Sequence, residues 1–225
     1  MSSEERYQRD IALARKYLLA NGFSIAGGVV FLLLTFVAAS FGWLYILIPL
    51  ALNMLLIIKM LALERNLKKV FADNSVPYVF QLSRPYTYDE LVEIVSAAGE
   101  SCYKVAEDLT ICCSAQKEGM ADIRIMLAHR DTASENDIEN DAEKFAAVTG
   151  RGRLETVYIC CSVVEQAEKV EEDLCRNAVI SMLQPVSVMN IIRMVVSGNE
   201  LIVQPLPHCN AIRPYKLAVT LMRTL

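Results

Sequence analysis

Polar and apolar positions divide the chain into two unequal parts. Residues 17–58 form an uninterrupted stretch of 42 positions without Asp, Glu, Lys or Arg. A helix that crosses the hydrocarbon core of a bilayer needs about 20 apolar residues, so this stretch is long enough for two helices. Its least hydrophobic point, at residues 39–42, predicts a turn between one span over residues 23–39 and another over residues 43–63.

Basic residues flank the uncharged stretch on both sides, whereas the predicted turn carries no charge. The positive-inside rule therefore predicts an integral membrane protein with two spans and both termini in the cytoplasm. The flanking residues are Arg6, Arg9, Arg15 and Lys16 before the first span and Lys59, Arg65, Lys68 and Lys69 after the second.

Other interpretations of the apolar stretch have different consequences for location. A cleaved signal peptide has one short apolar core and a small-residue cleavage site, which fits this long stretch poorly. A re-entrant hairpin and a pair of buried core helices remain open as alternatives. Within the spans, Pro49 should bend the second helix, and Asn53 is the main polar group. If Asn53 lines an ion or substrate path, the hairpin is a small oligomeric channel or a transport accessory.

The segments beside the predicted hairpin, residues 22–63, also have a helical pattern. Residues 1–21 carry apolar positions at intervals of three to four beside Arg and Lys, which predicts an amphipathic helix. This helix either lies on the membrane surface or extends the first span after a break at Asn21–Gly22. Residues 64–75 are expected to form a linker helix that continues the second span.

Residues 76–225 alternate between strand and helix patterns, which predicts a soluble α/β domain with a mixed sheet. Thr87 and Glu90 match a capping box at the start of a helix that ends near Gly99. The most apolar strand candidate, residues 154–163, is expected at the centre of the sheet. The other predicted strands are 76–82, 103–106, 110–115, 122–128, 191–197 and 201–206. Further helices are predicted at 134–150 and at about 165–180, and residues 215–223 are ambiguous between helix and strand.

The order of elements over residues 87–175, α-β-β-β-α-β, resembles the core of the restriction-endonuclease-like fold, particularly its Mrr-like branch. The resemblance implies an acid at the start of the second core strand and an acid-x-Lys on the third, which together hold a divalent metal. Asp108 stands at the first of these positions. On the third strand, Asp122 begins an acid-x-Arg, and the alternative alignment ends at His129.

The third strand departs from the family pattern in both alignments. Arginine does not transfer protons at neutral pH, and the alternative alignment puts Leu127 at a metal-binding position. We therefore expect a non-catalytic relative of this fold. The alternative is a membrane-tethered, metal-dependent nuclease-like or nucleic-acid-binding module that uses Asp108, Asp122 and His129.

Composition adds constraints on partners and compartment. The formal net charge of −4 argues against a general nucleic-acid binder. Seven cysteines without C-x-x-C spacing suit a reducing compartment, with the adjacent pairs Cys112–Cys113 and Cys160–Cys161 split between opposite faces of strands. A metal site formed by His129, His208 and Cys209 is a weaker alternative.

Arg151 and Arg153, within Gly150–Arg153, are candidates for binding an anion, although a flexible loop with two solvated arginines is the favoured explanation. No phosphate-binding, dinucleotide, hydrolase or zinc-protease motif occurs in the sequence. The sequence therefore predicts a membrane-anchored, non-catalytic interaction or scaffold protein without a cofactor. Its expected partners are the lipid bilayer and either further copies of the chain or another protein.

Overall fold

The structure of the chain is a computed structural model that describes residues 1–72, 76–98, 101–106, 109–114, 123–131, 145, 157–165, 191–206 and 212–224. The long helices α1 (Ser3–Ala39) and α2 (Trp43–Ala72) come first. They are followed by β1 (Tyr78–Gln81), α3 (Tyr88–Ala98), β2 (Ser101–Ala106), β3 (Leu109–Ser114), β4 (Ile123–Arg130), β5 (Val157–Val164), β6 (Ile191–Ser197), β7 (Glu200–Val203) and α4 (Ile212–Arg223). The predicted fold class is confirmed in outline, because two long apolar helices precede an α/β region with a mixed sheet.

Helix α1 is continuous through Asn21 and Gly22, without the break expected there. A glycine within a helix costs only about 1 kcal/mol relative to alanine, which is too little to interrupt a helix with so many favourable neighbours. At its start, the Ser2 hydroxyl accepts a hydrogen bond from the backbone N–H of Glu5, whose carboxylate accepts from the Ser2 N–H. This capping box fixes the start of the helix at Ser2. Because α1 is continuous from there to Ala39, the N-terminal segment extends the first apolar helix.

The two long helices are joined by the tight turn predicted at residues 39–42. α1 ends at Ala39, and Gly42 adopts φ 134°, a conformation that side-chain-bearing residues rarely adopt. α2 then continues through Pro49 as far as Ala72, so it takes in most of the segment expected as a linker helix. Both helices are long and apolar enough to cross a membrane.

The seven strands that the structure describes form one sheet in the order β1-β7-β6-β5-β4-β3-β2. The central strands β4, β5 and β6 are parallel, whereas β2, β3 and β4 form an antiparallel meander and β6, β7 and β1 pair antiparallel. All eight residues of β5 are buried, which confirms its predicted central position.

One face of the sheet, which we call the helix face, packs against α1, α3 and α4. Residues at alternate positions of β4, β5 and β6 contribute to this core, and the intervening residues point to the opposite face, which we call the second face. The helix face buries, among others, Ile125, Leu127, Ile159, Cys161, Met194 and Val196. Met126, Ala128, Tyr158, Cys160 and Ile191 form a smaller cluster on the second face with Phe145.

Local sequence signals position the elements around this core. The capping box predicted for α3 is present, with the Thr87 N–H donating to the Glu90 carboxylate at 3.0 Å and the Glu90 N–H donating to the Thr87 hydroxyl at 3.4 Å. Gly198 has φ 59° whereas Asn199 keeps a negative φ, as the predicted II′ turn between β6 and β7 requires. The ambiguous C-terminal segment is helical, as α4, and it buries Tyr215, Ala218, Val219 and Met222 along one stripe. The helices predicted at 134–150 and about 165–180 lie largely outside the described residues.

Candidate functional site

The first turns of α1 are part of the α/β core. We call residues 3–18 the docking segment, because its apolar stripe lies against β1 and α4. The Tyr7 ring makes edge-on contacts with Tyr78 at 5.6 Å and with Phe80 at 5.4 Å between ring centroids, and it also contacts Tyr215. Ile11 and Ala14 continue this buried stripe at helical spacing. The docking segment thus packs against the sheet at its edge strand β1.

A buried carboxylate lies in the middle of this apolar contact. Asp10 is completely buried, and its Oδ2 accepts a hydrogen bond of 2.7 Å from the Tyr78 hydroxyl. The half-exposed Arg9 guanidinium lies 2.8 Å from Asp10 Oδ1 and supplies the opposite charge. A buried charge is tolerated when it is paired and hydrogen-bonded. The hydrogen bond from Tyr78 to Asp10 joins α1 to β1 and fixes the rotation of the helix against the strand.

Two further polar contacts border the docking segment. The Arg6 guanidinium donates to the Pro77 carbonyl and lies over the Tyr78 ring, 4.9 Å from its centroid. On the other side, Arg223 of α4 forms an ion pair with Glu4 at 3.0 Å. α1, the first strand and the last helix are therefore joined at one place, although they are far apart in sequence.

The electrostatic environment of Tyr7 reflects this burial. Burial raises the pKa of Tyr7 to about 12, because it disfavours the charged phenolate. Arg223 opposes the shift and Glu4 reinforces it, but burial has the largest effect. The Tyr7 phenol is therefore neutral over the physiological pH range and acts as a packing group.

Within the apolar hairpin, glycines bring the two long helices close together. A Cβ at Gly27 would lie 3.2 Å from Leu56 Cδ1, and a Cβ at Gly28 would lie 3.6 Å from Asn53 Oδ1. Small residues at a helix contact allow this approach. Asn53, the predicted polar residue of the second span, therefore lies half-buried at the contact between α1 and α2.

His129 lies near the end of β4, where the carboxyl ends of the parallel strands meet. Its ring lies 5.5 Å from that of Tyr88, whose hydroxyl is 3.0 Å from the Thr110 hydroxyl. The His129 Nε2 atom is 3.9 Å from Glu165 Oε1, beyond hydrogen-bond distance, and both side chains are exposed by a third or more. The contacts of His129 thus place it on a surface beside α3.

The other candidate residues from the sequence fall elsewhere. Asp108, Asp122, Arg151 and Arg153 lie outside the described residues, as do His208 and Cys209. Among the residues that the structure does describe, no group of three or more His, Cys, Asp or Glu is placed to hold a metal ion. The predicted split of an adjacent cysteine pair is confirmed, because Cys160 and Cys161 belong to clusters on opposite faces of the sheet.

Two buried polar features were missed by the sequence reasoning. Asp10 falls within the apolar stripe formed by Tyr7, Ile11 and Ala14. An acid at such a position of an amphipathic helix was the sign that could have indicated a buried carboxylate. Similarly, Arg193 interrupts the apolar run of β6, yet it is only 2% exposed. In both cases the apolar neighbours in the sequence indicated a buried segment. The charged residue is buried together with them, contrary to the usual exposure of charged side chains.

Comparison of the chain with family models, with curated proteins and with solved structures found no match.

Proposed function

We propose that the chain is a membrane-anchored interaction or scaffold protein, in which a two-helix hairpin holds an α/β domain at the cytoplasmic face of the membrane. One observation carries the proposal. α1 is a single helix whose first turns are buried in the domain core and whose later turns expose a continuous apolar surface. The domain and the apolar hairpin therefore share one rigid element.

The apolar surface of the hairpin is the first support for membrane insertion. Phe23 and Phe36 are 76% and 72% exposed, and none of the most apolar window of α1 is buried. Soluble monomers rarely expose contiguous apolar patches larger than a few hundred Å². A pair of buried core helices does not account for such exposure, whereas contact with lipid does.

The docking segment gives a second argument, which concerns signal-peptide cleavage. Cleavage after the first apolar helix would separate Tyr7, Ile11 and Ala14 from the domain. The rings of Tyr78 and Phe80 would then lose their cover, and buried apolar surface would be exposed to water. Because the N-terminal segment forms part of the core, an uncleaved anchor explains the structure better than a signal peptide does.

The dimensions of α1 suit a fixed spacer. At 1.5 Å per residue, its 37 residues extend over about 55 Å, and a bilayer core is about 30 Å thick. About 25 Å therefore remains for the docking segment. Basic residues lie on both long helices at the same end of the hairpin, including Arg15, Lys16 and Lys59, and this distribution favours a cytoplasmic domain.

Crosslinking of the full chain in membranes tests the proposal. We expect covalent adducts, with a second copy or another protein, that form through the lipid-facing surface of the hairpin or through the domain. A photoreactive residue at Phe36, which is 72% exposed, reports on the hairpin. The same residue at Leu127, which is fully buried, is the matched control and should give no intermolecular adduct. Monomers alone, without adducts from the exposed hairpin or domain surfaces in native membranes, would count against a scaffold.

A further inference from the structure

Strand β6 carries a buried arginine on the second face of the sheet. Arg193 is 2% exposed, and its neighbours Ile192 and Met194 point to the helix face. The Nε atom of Arg193 has no hydrogen-bond partner. Among the residues that the structure describes, no carboxylate lies within ion-pair distance of its guanidinium. The positive charge of Arg193 is therefore uncompensated within this part of the chain.

A glutamine from the neighbouring chain segment lies directly opposite Arg193. The backbone N–H of Gln204 donates to the Arg193 carbonyl at 3.2 Å, and the backbone N–H of Arg193 donates to Gln204 Oε1 at 2.9 Å. Gln204 is fully buried, and its amide nitrogen Nε2 has no hydrogen-bond partner. Its amide is thus held in place by its oxygen while both N–H groups remain available.

A third unsatisfied donor lies on the next strand. Cys160 of β5 pairs in register with Arg193, and Ser162 follows two residues later on the same face. Ser162 is 1% exposed, and its hydroxyl has no hydrogen-bond partner. An arginine, an amide and a hydroxyl therefore lie on adjoining segments of the sheet, all buried and each with an unused donor.

This combination of groups points to a negatively charged ligand. Buried polar groups are normally hydrogen-bonded, and an unpaired buried charge is especially unfavourable. An arginine guanidinium keeps its charge at physiological pH, so it cannot relieve the cost by losing a proton. Its planar donors suit two oxygens of one oxyanion, and the amide and hydroxyl on the adjoining segments are further donors for such a group.

We propose that Arg193, Gln204 and Ser162 form a binding site for a small oxyanion, which is a carboxylate or phosphate group. Arg193 supplies the charge, and Gln204 and Ser162 supply neutral donors that select for oxygen acceptors. The site lies on the opposite side of the sheet from the docking segment. It is therefore independent of the proposed scaffold function.

Thermal unfolding and calorimetric titration of the full chain in detergent micelles test this proposal. The probes are inorganic phosphate and acetate, each compared with chloride at constant ionic strength. We expect a saturable rise in the Tm of the wild-type chain with at least one probe. Arg193→Met should weaken the binding of that probe at least tenfold, because the variant keeps an unbranched apolar side chain in place of the aliphatic part of arginine and loses the guanidinium charge.

Two further variants keep the test decisive. Gln204→Glu places a carboxylate beside Arg193, so it should abolish probe binding while the probe-free protein stays folded, even if Arg193→Met does not fold. Arg124→Met is the matched control, because Arg124 lies on the same face with its guanidinium 5.8 Å from the centroid of the Tyr158 ring. This control should bind the probe as the wild type does.

The pattern of responses identifies the ligand class or rejects the site. A response to phosphate alone assigns a phosphate group, a response to acetate alone assigns a carboxylate, and responses to both assign a general oxyanion site. The proposal is overturned if the wild type shows no saturable response to either probe. It is also overturned if folded Arg193→Met or Gln204→Glu binds the probe with unchanged affinity.

Discussion

At the scale of single residues, the docking segment is tied to the sheet by a buried hydrogen bond between Tyr78 and Asp10. Both side chains are fully buried, and the acceptor is a carboxylate. Hydrogen bonds to charged groups contribute about 1.5–3 kcal/mol, compared with about 0.5–1.5 kcal/mol for neutral pairs. This difference can be measured with two equivalent substitutions.

We expect Tyr78→Phe to lower the free energy of unfolding by about 1.5–3 kcal/mol, because the Asp10 carboxylate loses a donor. Denaturant titration followed by near-ultraviolet circular dichroism measures the change. Tyr86→Phe is the matched control, since the hydrogen bond between the Tyr86 and Ser83 hydroxyls, 3.1 Å apart, is only part-buried and its loss should cost less. Equal losses of unfolding free energy for the two substitutions would show that the Tyr78 hydroxyl does not stabilise the buried Asp10 carboxylate.

The pKa of Tyr7 predicts a dependence of stability on pH. The folded-state pKa is raised to about 12, whereas an exposed tyrosine titrates near 10. The unfolded chain therefore loses this proton first, and the contribution of Tyr7 to stability is complete below pH 10 and is lost as the pH rises toward 12. Tyr7→Phe removes this titration.

The wild-type Tm should consequently fall more steeply between pH 10 and pH 12 than that of Tyr7→Phe. Thermal unfolding scans at half-unit pH intervals give both slopes, and the comparison cancels the titration of the other tyrosines. Parallel slopes would mean that Tyr7 is not buried against the sheet.

At the scale of helices and strands, patterns with a strong local cause were predictable. The capping box indicated the start of α3, and the mainly apolar run indicated the central strand β5. The continuity of α1 was not predictable, because Asn21 and Gly22 are weak helix formers and only their neighbours on both sides decide the outcome. The helical state of α4 was also left open by the sequence, and its apolar stripe is buried by the sheet and by α1 from the other end of the chain.

The candidate site was less accessible from sequence than the fold. Asp10 and Arg193 are charged residues whose burial depends on partners distant along the chain, namely Tyr78 and Gln204. Sequence reasoning turned instead to Asp108 and Asp122 through a family resemblance, and these two residues lie outside the described part of the chain. Local patterns therefore predicted elements, whereas polar contacts between distant segments required the structure.

The contact between the two long helices can be tested at Gly27. Gly27→Leu places a side chain against Leu56, where even a Cβ would lie at 3.2 Å, so α1 and α2 should separate. The distance between spin labels on the two helices should increase, and the Tm in detergent should fall. Gly22→Leu is the control, because a Cβ there meets nothing within 4 Å. Equal effects at both positions would contradict the described packing.

At the scale of the whole molecule, retention of the docking segment separates an anchor from a signal peptide. We expect the mature protein to keep Tyr7, Ile11 and Ala14 in one chain with the domain, because these residues complete its core. Peptide mapping by mass spectrometry of protein extracted from membranes should therefore recover the peptides that contain Tyr7 and Ile11 in the same amount as peptides from the domain. A product that begins after the first apolar helix would contradict the anchor.

We propose that the hairpin returns the chain to the side on which it began, with the domain in the cytoplasm. Thiol labelling with a membrane-impermeant maleimide in intact cells tests it most directly, using Ser40→Cys in the exposed turn and Thr224→Cys at the exposed C-terminus. We predict that Ser40→Cys reacts in intact cells beyond the background of the native cysteines, and that Thr224→Cys reacts only after the membrane is permeabilised. Labelling of Thr224→Cys in intact cells, or protection of Ser40→Cys under both conditions, would contradict this account.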